Sequence, residues 1–549
     1  MPDHNSSAST VPTAGNRLAE ATLGGGDASR PYHSLALDPI ETGAWGKVDV
    51  WSDRIGGWLN PILIKEARQS LKSKQFLVIF FTLLFASWAW TILGIVINSP
   101  DVYYTPTGQS LLSGYYLILA IPLMGLVPIV AFRSLAAELD DGTFEMLAIT
   151  QLSATRIVWG KLNSAMLQML IYFAAIVPCL AFSYLLRGIS LPSILYLLAF
   201  VFGVAFLLTT FGLLLATLTN HRAVQTFTLL GLVGVIVFSQ FLCGAFVLGD
   251  ILGDRMSFDL GTLIDTSYFY AIGLSFAAMF LMAAAARIAP VTENRSTGLR
   301  WMMLIQQSIW ILVMVALTVR YSDVEPINFG STMIGLYWLI VGTLMLGESK
   351  ELSPRVQRGL PRTYLSRMFL TWLYPGPGTG FMFAICSGCA GLLVLSAFGD
   401  FAEINGLSRR RNTTSGLIFA MIMAGYLLGY LSVIRLLTMP LARRFGSSFV
   451  LPLVIGLLVM FTALVTPLIL HFMLTGGPPR SYEVLEAPNW AWTWEHAINR
   501  RFDPGIATLI FVVGAMVFAI NLFFLFREFR YRRIAVPRRV LADEAVDAN

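Results

Sequence analysis

Long apolar runs separated by short polar stretches dominate this chain. A hydrocarbon core needs about 20 consecutive apolar residues per helix. Runs over 76–98, 111–132, 162–186, 194–219, 224–248 and 267–286 meet that requirement. A second set follows at 301–319, 329–346, 381–398, 415–434, 450–474 and 505–526. The pattern predicts an all-α, polytopic integral membrane protein with about twelve transmembrane helices. A break near Arg287–Arg300 divides them into two six-helix halves. The expected organisation is a disordered cytoplasmic tail over 1–50, an amphipathic interfacial helix over 51–75, a six-span domain over 76–290, a second over 291–530, and a basic-to-acidic tail over 531–549.

Two polar segments carry more pattern than connectors require. In the first, Trp51, Ile55, Trp58, Leu59, Ile62 and Leu63 recur at helical spacing, and Lys65, Arg68, Lys72 and Lys74 follow. That arrangement predicts a helix lying at the headgroups. The second runs over 133–161. A helical run ends at Ala136-Ala137-Glu138-Leu139, and Asp140-Asp141-Gly142 breaks it. Thr143 caps a short helix over 144–149, with Glu145 in its first turn, where the helix dipole favours a negative charge. Ser153 stands at the N-cap of the next helix, which carries Arg156 and Lys161 into the third span.

The motif Asp141-Gly142-Thr143-Phe144-Glu145-Met146-Leu147, then Leu152-Ser153, then Ile157-Val158-Trp159-Gly160-Lys161, resembles the cytoplasmic coupling elbow of ABC exporter permeases of the second class, the ABC-2 type. The stretch Asn60-Pro61-Ile62-Leu63-Ile64-Lys65-Glu66-Ala67-Arg68 is similar to a pre-membrane signature of the same permeases. The likeness covers roughly residues 60–287 and departs at Gln151, where proline is common before Leu-Ser. It implies that Asp141, Gly142, Thr143, Glu145, Leu147, Ser153 and Lys161 couple the spans to an ATPase, and that Trp58, Lys65 and Arg68 belong to a helix touching that ATPase. The implied partner is a separate ATP-binding-cassette subunit, which would hold ATP and magnesium; no cofactor is expected in this chain. One elbow in a chain serving a pair of ATPases implies a homodimer or pairing with a second permease.

Composition sharpens this picture. Of 549 residues, 56% are hydrophobic and only 13% charged, with mean hydropathy +0.69; soluble domains carry about 25% charged residues. The formal charge of +6 comes from basic residues flanking apolar runs, which points to lipid headgroups and not to nucleic acid. Lys65, Arg68, Lys72 and Lys74 before the first span, and Arg527, Arg530, Arg532 and Arg533 after the last, place both termini in the cytoplasm of a multi-pass plasma or inner membrane protein. Arg409-Arg410-Arg411 falls in a loop expected outside and breaks the rule locally.

Candidate chemistry is sparse. No G-x-x-x-x-G-K-[ST] phosphate loop occurs, so the expectation is a permease and not an enzyme. Cys386 and Cys389 have C-x-x-C spacing but lack the further ligands zinc needs. By these boundaries no Asp, Glu, Lys or Arg lies within a hydrocarbon core, and Arg435 snorkels from the end of the tenth span. That argues against an ion-coupled transporter, which places ionisable groups at mid-membrane. Pro122, Pro128 and Pro178 kink their spans or are tolerated there, and Gly425-x-x-x-Gly429 packs within the molecule. Trp490, Trp492 and Trp494 read as a surface loop on the headgroups. Two other functions remain open. A membrane enzyme acting on lipid or polysaccharide would use Asp250, Asp254, Asp259 and Asp265, the one acidic group in an outer loop; a structural subunit would need none of these residues.

Overall fold

The computed structural model describes residues 61–140, 153–218, 222–252, 259–290, 292–349, 352–361, 363, 365–366, 370–407, 414–445, 449–477, 482–499 and 502–528. Every regular element among them is helical. Helix α1 (Pro61–Leu71) opens on a proline, whose missing N–H is no loss in a first turn. Ser73 caps α2 (Lys74–Ile97) by accepting from the Phe76 amide at 3.1 Å. Helix α3 (Gly108–Asp140) is interrupted by a π-helical segment, Ile121–Leu126. Pro122 lies in that segment and withholds a donor from the helical ladder. Gln240 Nε2 donates to the Ala120 carbonyl at its edge, at 2.9 Å. By contrast α4 (Ala154–Leu185) remains α-helical through Pro178.

The remaining long helices are α5 (Leu191–Ala216), α6 (Arg222–Phe246, continued by a π turn at Val247–Ile251), α7 (Leu260–Ile288), α8 (Thr297–Tyr321), α9 (Glu325–Met345), α10 (Pro377–Ile404), α11 (Gly416–Phe445) and α12 (Val450–Thr475). A shorter α13 (Trp490–Asn499) precedes α14 (Pro504–Glu528). Twelve of these described helices, all but α1 and α13, are long and apolar enough to cross a membrane. The chain is a multi-pass membrane protein. The observed helices match the twelve predicted runs but outlast several: α4 starts at Ala154 and α11 continues to Phe445. Hydropathy sees the apolar core of a helix, whereas the hydrogen-bonded ladder continues into polar turns beyond it.

Buried apolar side chains form two clusters. One draws on residues between Phe76 and Ile288, the other on residues between Met279 and Leu525, and α7 contributes to both. Helices α2, α6, α12 and α14 are the most exposed, and α3, α9 and α11 the most enclosed. Helices α11 and α14 meet glycine against glycine. A Cβ on Gly514 of α14 would stand 2.3 Å from the Gly425 carbonyl of α11, and Gly429 lies 3.5 Å from the Gly514 Cα by the same measure. The G-x-x-x-G pattern thus packs inside the molecule.

One expectation for the aromatic segment is corrected. Trp490, Trp492 and Trp494 are not an exposed loop; they lie on α13, half-buried or at its rim. Trp490 Nε1 donates to the Met460 carbonyl and Trp494 Nε1 to Thr332 Oγ1. Thr493, fully buried, takes part in a hydroxyl chain with Tyr426 and Tyr482. The helix packs into the second cluster through the fully buried Ala497 and through Ile498.

Candidate functional site

The end of the bundle where α2 starts and α3 finishes, hereafter the near end, holds the charged groups of interest. Segment 141–152 lies outside the described residues, so Asp141, Gly142, Thr143, Glu145 and Leu147 cannot be placed, and neither can Trp58. The helices entering and leaving that segment are described. Ser153 caps α4 as its sequence position implies, accepting from the Arg156 amide at 3.4 Å. Lys65 and Arg68 are on the exposed side of α1.

Lys161 is not at the surface. It lies one helical turn and more into α4, and its side chain is only 2% exposed. Its ammonium stands 3.0 Å from Glu138 Oε1 of α3 and 3.3 Å from Glu66 Oε2 of α1, and donates to Ser134 Oγ of α3 at 2.9 Å. An ammonium has three N–H donors and here meets three acceptors. Lys65 lies 4.0 Å from the same Glu138 oxygen, so two carboxylates face two ammonium groups. A buried charge left without such partners would cost several kcal/mol. The cluster therefore holds α1, α3 and α4 to one another. Beside it, Asp140 at the last turn of α3 accepts from Gln225 Nε2 of α6 at 2.7 Å. A small cavity of about 170 Å³ opens next to Glu66 and Ser134 and reaches the buried Gln168 amide and Tyr172.

A second buried cation sits at the same end. Arg300, fully buried in the first turn of α8, donates to Glu348 Oε2 at 2.7 Å, to the Tyr374 carbonyl at 2.8 Å and to the Trp372 carbonyl. Its guanidinium stacks 5.6 Å from the Phe383 ring centroid. Glu348 also accepts from the Gly376 amide at 2.6 Å. Nearby, Ser353 caps the short helix Pro354–Arg358, with proline at its first position, as the sequence allows. Arg287 of α7 donates to the Leu218 carbonyl at the end of α5 and lies 4.9 Å above the Phe449 ring at the start of α12.

Arg435 corrects an expectation. It does not snorkel: it is 2% exposed in the interior of α11, donates to the Asn521 carbonyl and side chain of α14 at 3.3 and 3.2 Å, and lies 4.8 Å from the Phe381 ring. A charged group is therefore present among the enclosed helices, satisfied by amide and ring chemistry.

Two of the four acidic candidates are engaged structurally. Asp265 accepts from Arg320 Nε at 2.8 Å and from the Tyr321 hydroxyl at 2.7 Å. Asp259 caps α7, and hydrogen bonds from the Thr262 amide and hydroxyl hold its carboxyl below the usual range. Asp254 lies outside the described residues. At this far end, His471 Nδ1 stands 2.7 Å from Oε1 of the fully buried Glu486, and burial pushes the neighbouring Tyr482 hydroxyl up to about 12. Among the described residues, no three His, Cys, Asp or Glu side chains are grouped to hold a metal ion.

No family model matches the chain, and neither a curated protein nor a solved structure does.

The partners of Lys161 were missed in the sequence. Glu66 and Glu138 sit in the two segments that drew attention, yet nothing in local spacing joins them. A usable signal existed: Lys161 follows Val158 on the inward face of an apolar helix, and a lysine there needs carboxylates.

Proposed function

We propose that this chain is the membrane permease subunit of an ATP-binding-cassette exporter of the second class. It would have two six-helix halves, both termini in the cytoplasm, and a separate ATPase that binds ATP and magnesium. The observation that supports the reading is the Lys161 cluster. Segment 141–152, which carries the elbow-like motif, is entered from α3 and left through α4. Glu138 and Ser134 of α3, Lys161 of α4 and Glu66 of α1 are joined by contacts of 2.9–3.3 Å. A push on that segment would therefore move three helices together, not bend one loop. The chain would act as a homodimer or beside a second permease, and carry out no bond chemistry itself.

The test is a mild-detergent purification of the full chain from its own cells, assayed for ATP hydrolysis beside a Glu145→Arg version. A co-purifying ATPase whose activity falls with the substitution, at equal expression, supports the reading. Absence of any nucleotide-binding partner, with no effect of the substitution, sinks it.

A further inference from the structure

A large apolar cavity lies away from the near end, between α5, α6 and α7. Its volume is about 820 Å³, in the upper part of the range of roughly 300–1,000 Å³ typical of small-molecule sites. Polarity changes along it in one direction. Tyr196, Thr262, Asp265 and Thr266 surround the mouth at the far end of the bundle. Phe200 comes next, with its ring 5.2 Å from Phe246 and 5.9 Å from Phe269. Below this aromatic collar the walls are Leu208, Phe211 and Phe280. The deeper polar group, Ser239, donates to the Val235 carbonyl of its own helix at 2.6 Å, so the wall asks nothing of a hydrocarbon occupant. Leu242 and Val235 line the cavity yet remain substantially exposed, so it opens sideways along α6.

Length and charge narrow the occupant. From Tyr196 to Phe211 along α5, at 1.5 Å per residue, the groove runs about 20 Å, which is half of a bilayer of about 40–45 Å including headgroups. That is the span of one lipid in one leaflet. Asp265 lines the mouth and other charges stand beside it: Arg320 lies against Asp265, Asp259 caps the same helix end, and Asp250 follows Phe246 by one turn. A headgroup with a phosphate and an ammonium finds a partner for each, whereas a purely anionic headgroup faces an excess of carboxylates.

We propose that the groove between α5, α6 and α7 is a binding site for one zwitterionic phospholipid, with its acyl chain beneath the Phe200–Phe246–Phe269 collar and its headgroup at Asp265 and Arg320. The site stands on this geometry whether or not the chain couples to an ATPase.

The experiment reconstitutes the full chain into vesicles containing phosphatidylethanolamine with a photoactivatable acyl chain, or phosphatidylglycerol with the same chain, and maps labelled peptides after illumination. The expected result is labelling concentrated in 196–211, 235–246 and 262–280, at least about fivefold stronger from the ethanolamine lipid. Ser239→Trp, which fills the groove from its open side, abolishes that labelling and leaves labelling of α2 and α12 unchanged. Val204→Trp fills it from α5 and serves as the second variant, judged by monodisperse elution. Labelling no stronger in the groove than on exposed α2 and α12, or persisting in both tryptophan variants, overturns the site. Equal labelling by the two lipids overturns the headgroup assignment. Cross-links from the groove to a second protein chain overturn the lipid as occupant.

Discussion

Lys161 in the first core cluster and Arg300 in the second each bury a positive charge at the near end of the bundle, and the two are held differently. Lys161 meets only side chains, two carboxylates and a hydroxyl, contributed by α1 and α3. Arg300 meets one carboxylate, two backbone carbonyls and an aromatic face, and so pins the chain between Trp372 and Tyr374 against α8. An ammonium is a compact charge on a flexible stem and exchanges acceptors readily; a guanidinium is a planar fork that fixes its partners' directions. The first arrangement suits a joint between helices that shift relative to one another. The second suits a brace that keeps a corner closed. The difference matches the sequence around them, because the elbow-like motif adjoins Lys161 and has no counterpart near Arg300.

The sharpest way to break the comparison is to remove each cation. Arg300→Ala strands Glu348 and two carbonyls and is expected to lower stability by about 3–5 kcal/mol, read from thermal unfolding in detergent. Lys161→Met costs less, about 2–3 kcal/mol, because Glu138 keeps Lys65 within 4.0 Å and no backbone carbonyl loses its donor. Equal losses would erase the distinction between brace and joint. Next come charge-preserving swaps. Arg300→Lys loses the fork and costs about 1–3 kcal/mol, whereas Lys161→Arg stays within about 1 kcal/mol. The reverse ranking would show that packing volume, not donor geometry, separates the sites.

Neutralising the acceptors sharpens the same contrast. Glu348→Gln disturbs bonds to Arg300, Gly376 and Ser296 at once, for about 1.5–3 kcal/mol. Glu66→Gln leaves Lys161 its Glu138 partner and costs about 0.5–1 kcal/mol. If the cluster transmits motion, Glu66→Gln nonetheless reduces ATP-dependent transport at unchanged thermal stability. The smallest effect lies at the far end. The Asp259 carboxyl is held below its usual range by Thr262, so its contribution is present above the ordinary carboxylate range and is lost as pH falls through its lowered value. Asp259→Asn should therefore flatten only the acid limb of a stability–pH profile.

Much of the architecture was legible in local pattern. The twelve apolar runs became the twelve long helices, and Ser153 caps a helix where its position indicated. Both signals are short-range: burial of a continuous apolar run, and a hydroxyl meeting an amide three residues on. The π segment at Ile121–Leu126 was readable only as a proline of undecided effect, because whether a helix kinks or widens depends on what re-satisfies its carbonyls, here Gln240 from another helix. Arg435 was misjudged because its partner Asn521 is 86 residues away.

Composition and periodicity thus determined an all-helical chain that crosses the membrane many times, since solvent chemistry acts on each run independently. Folding in three dimensions decided which charges are buried and with whom, that α13 packs into the second cluster, and that α5, α6 and α7 part to leave an apolar groove. Those outcomes depend on side chains from distant segments meeting at angstrom distances, and spacing along the chain carries no record of such encounters.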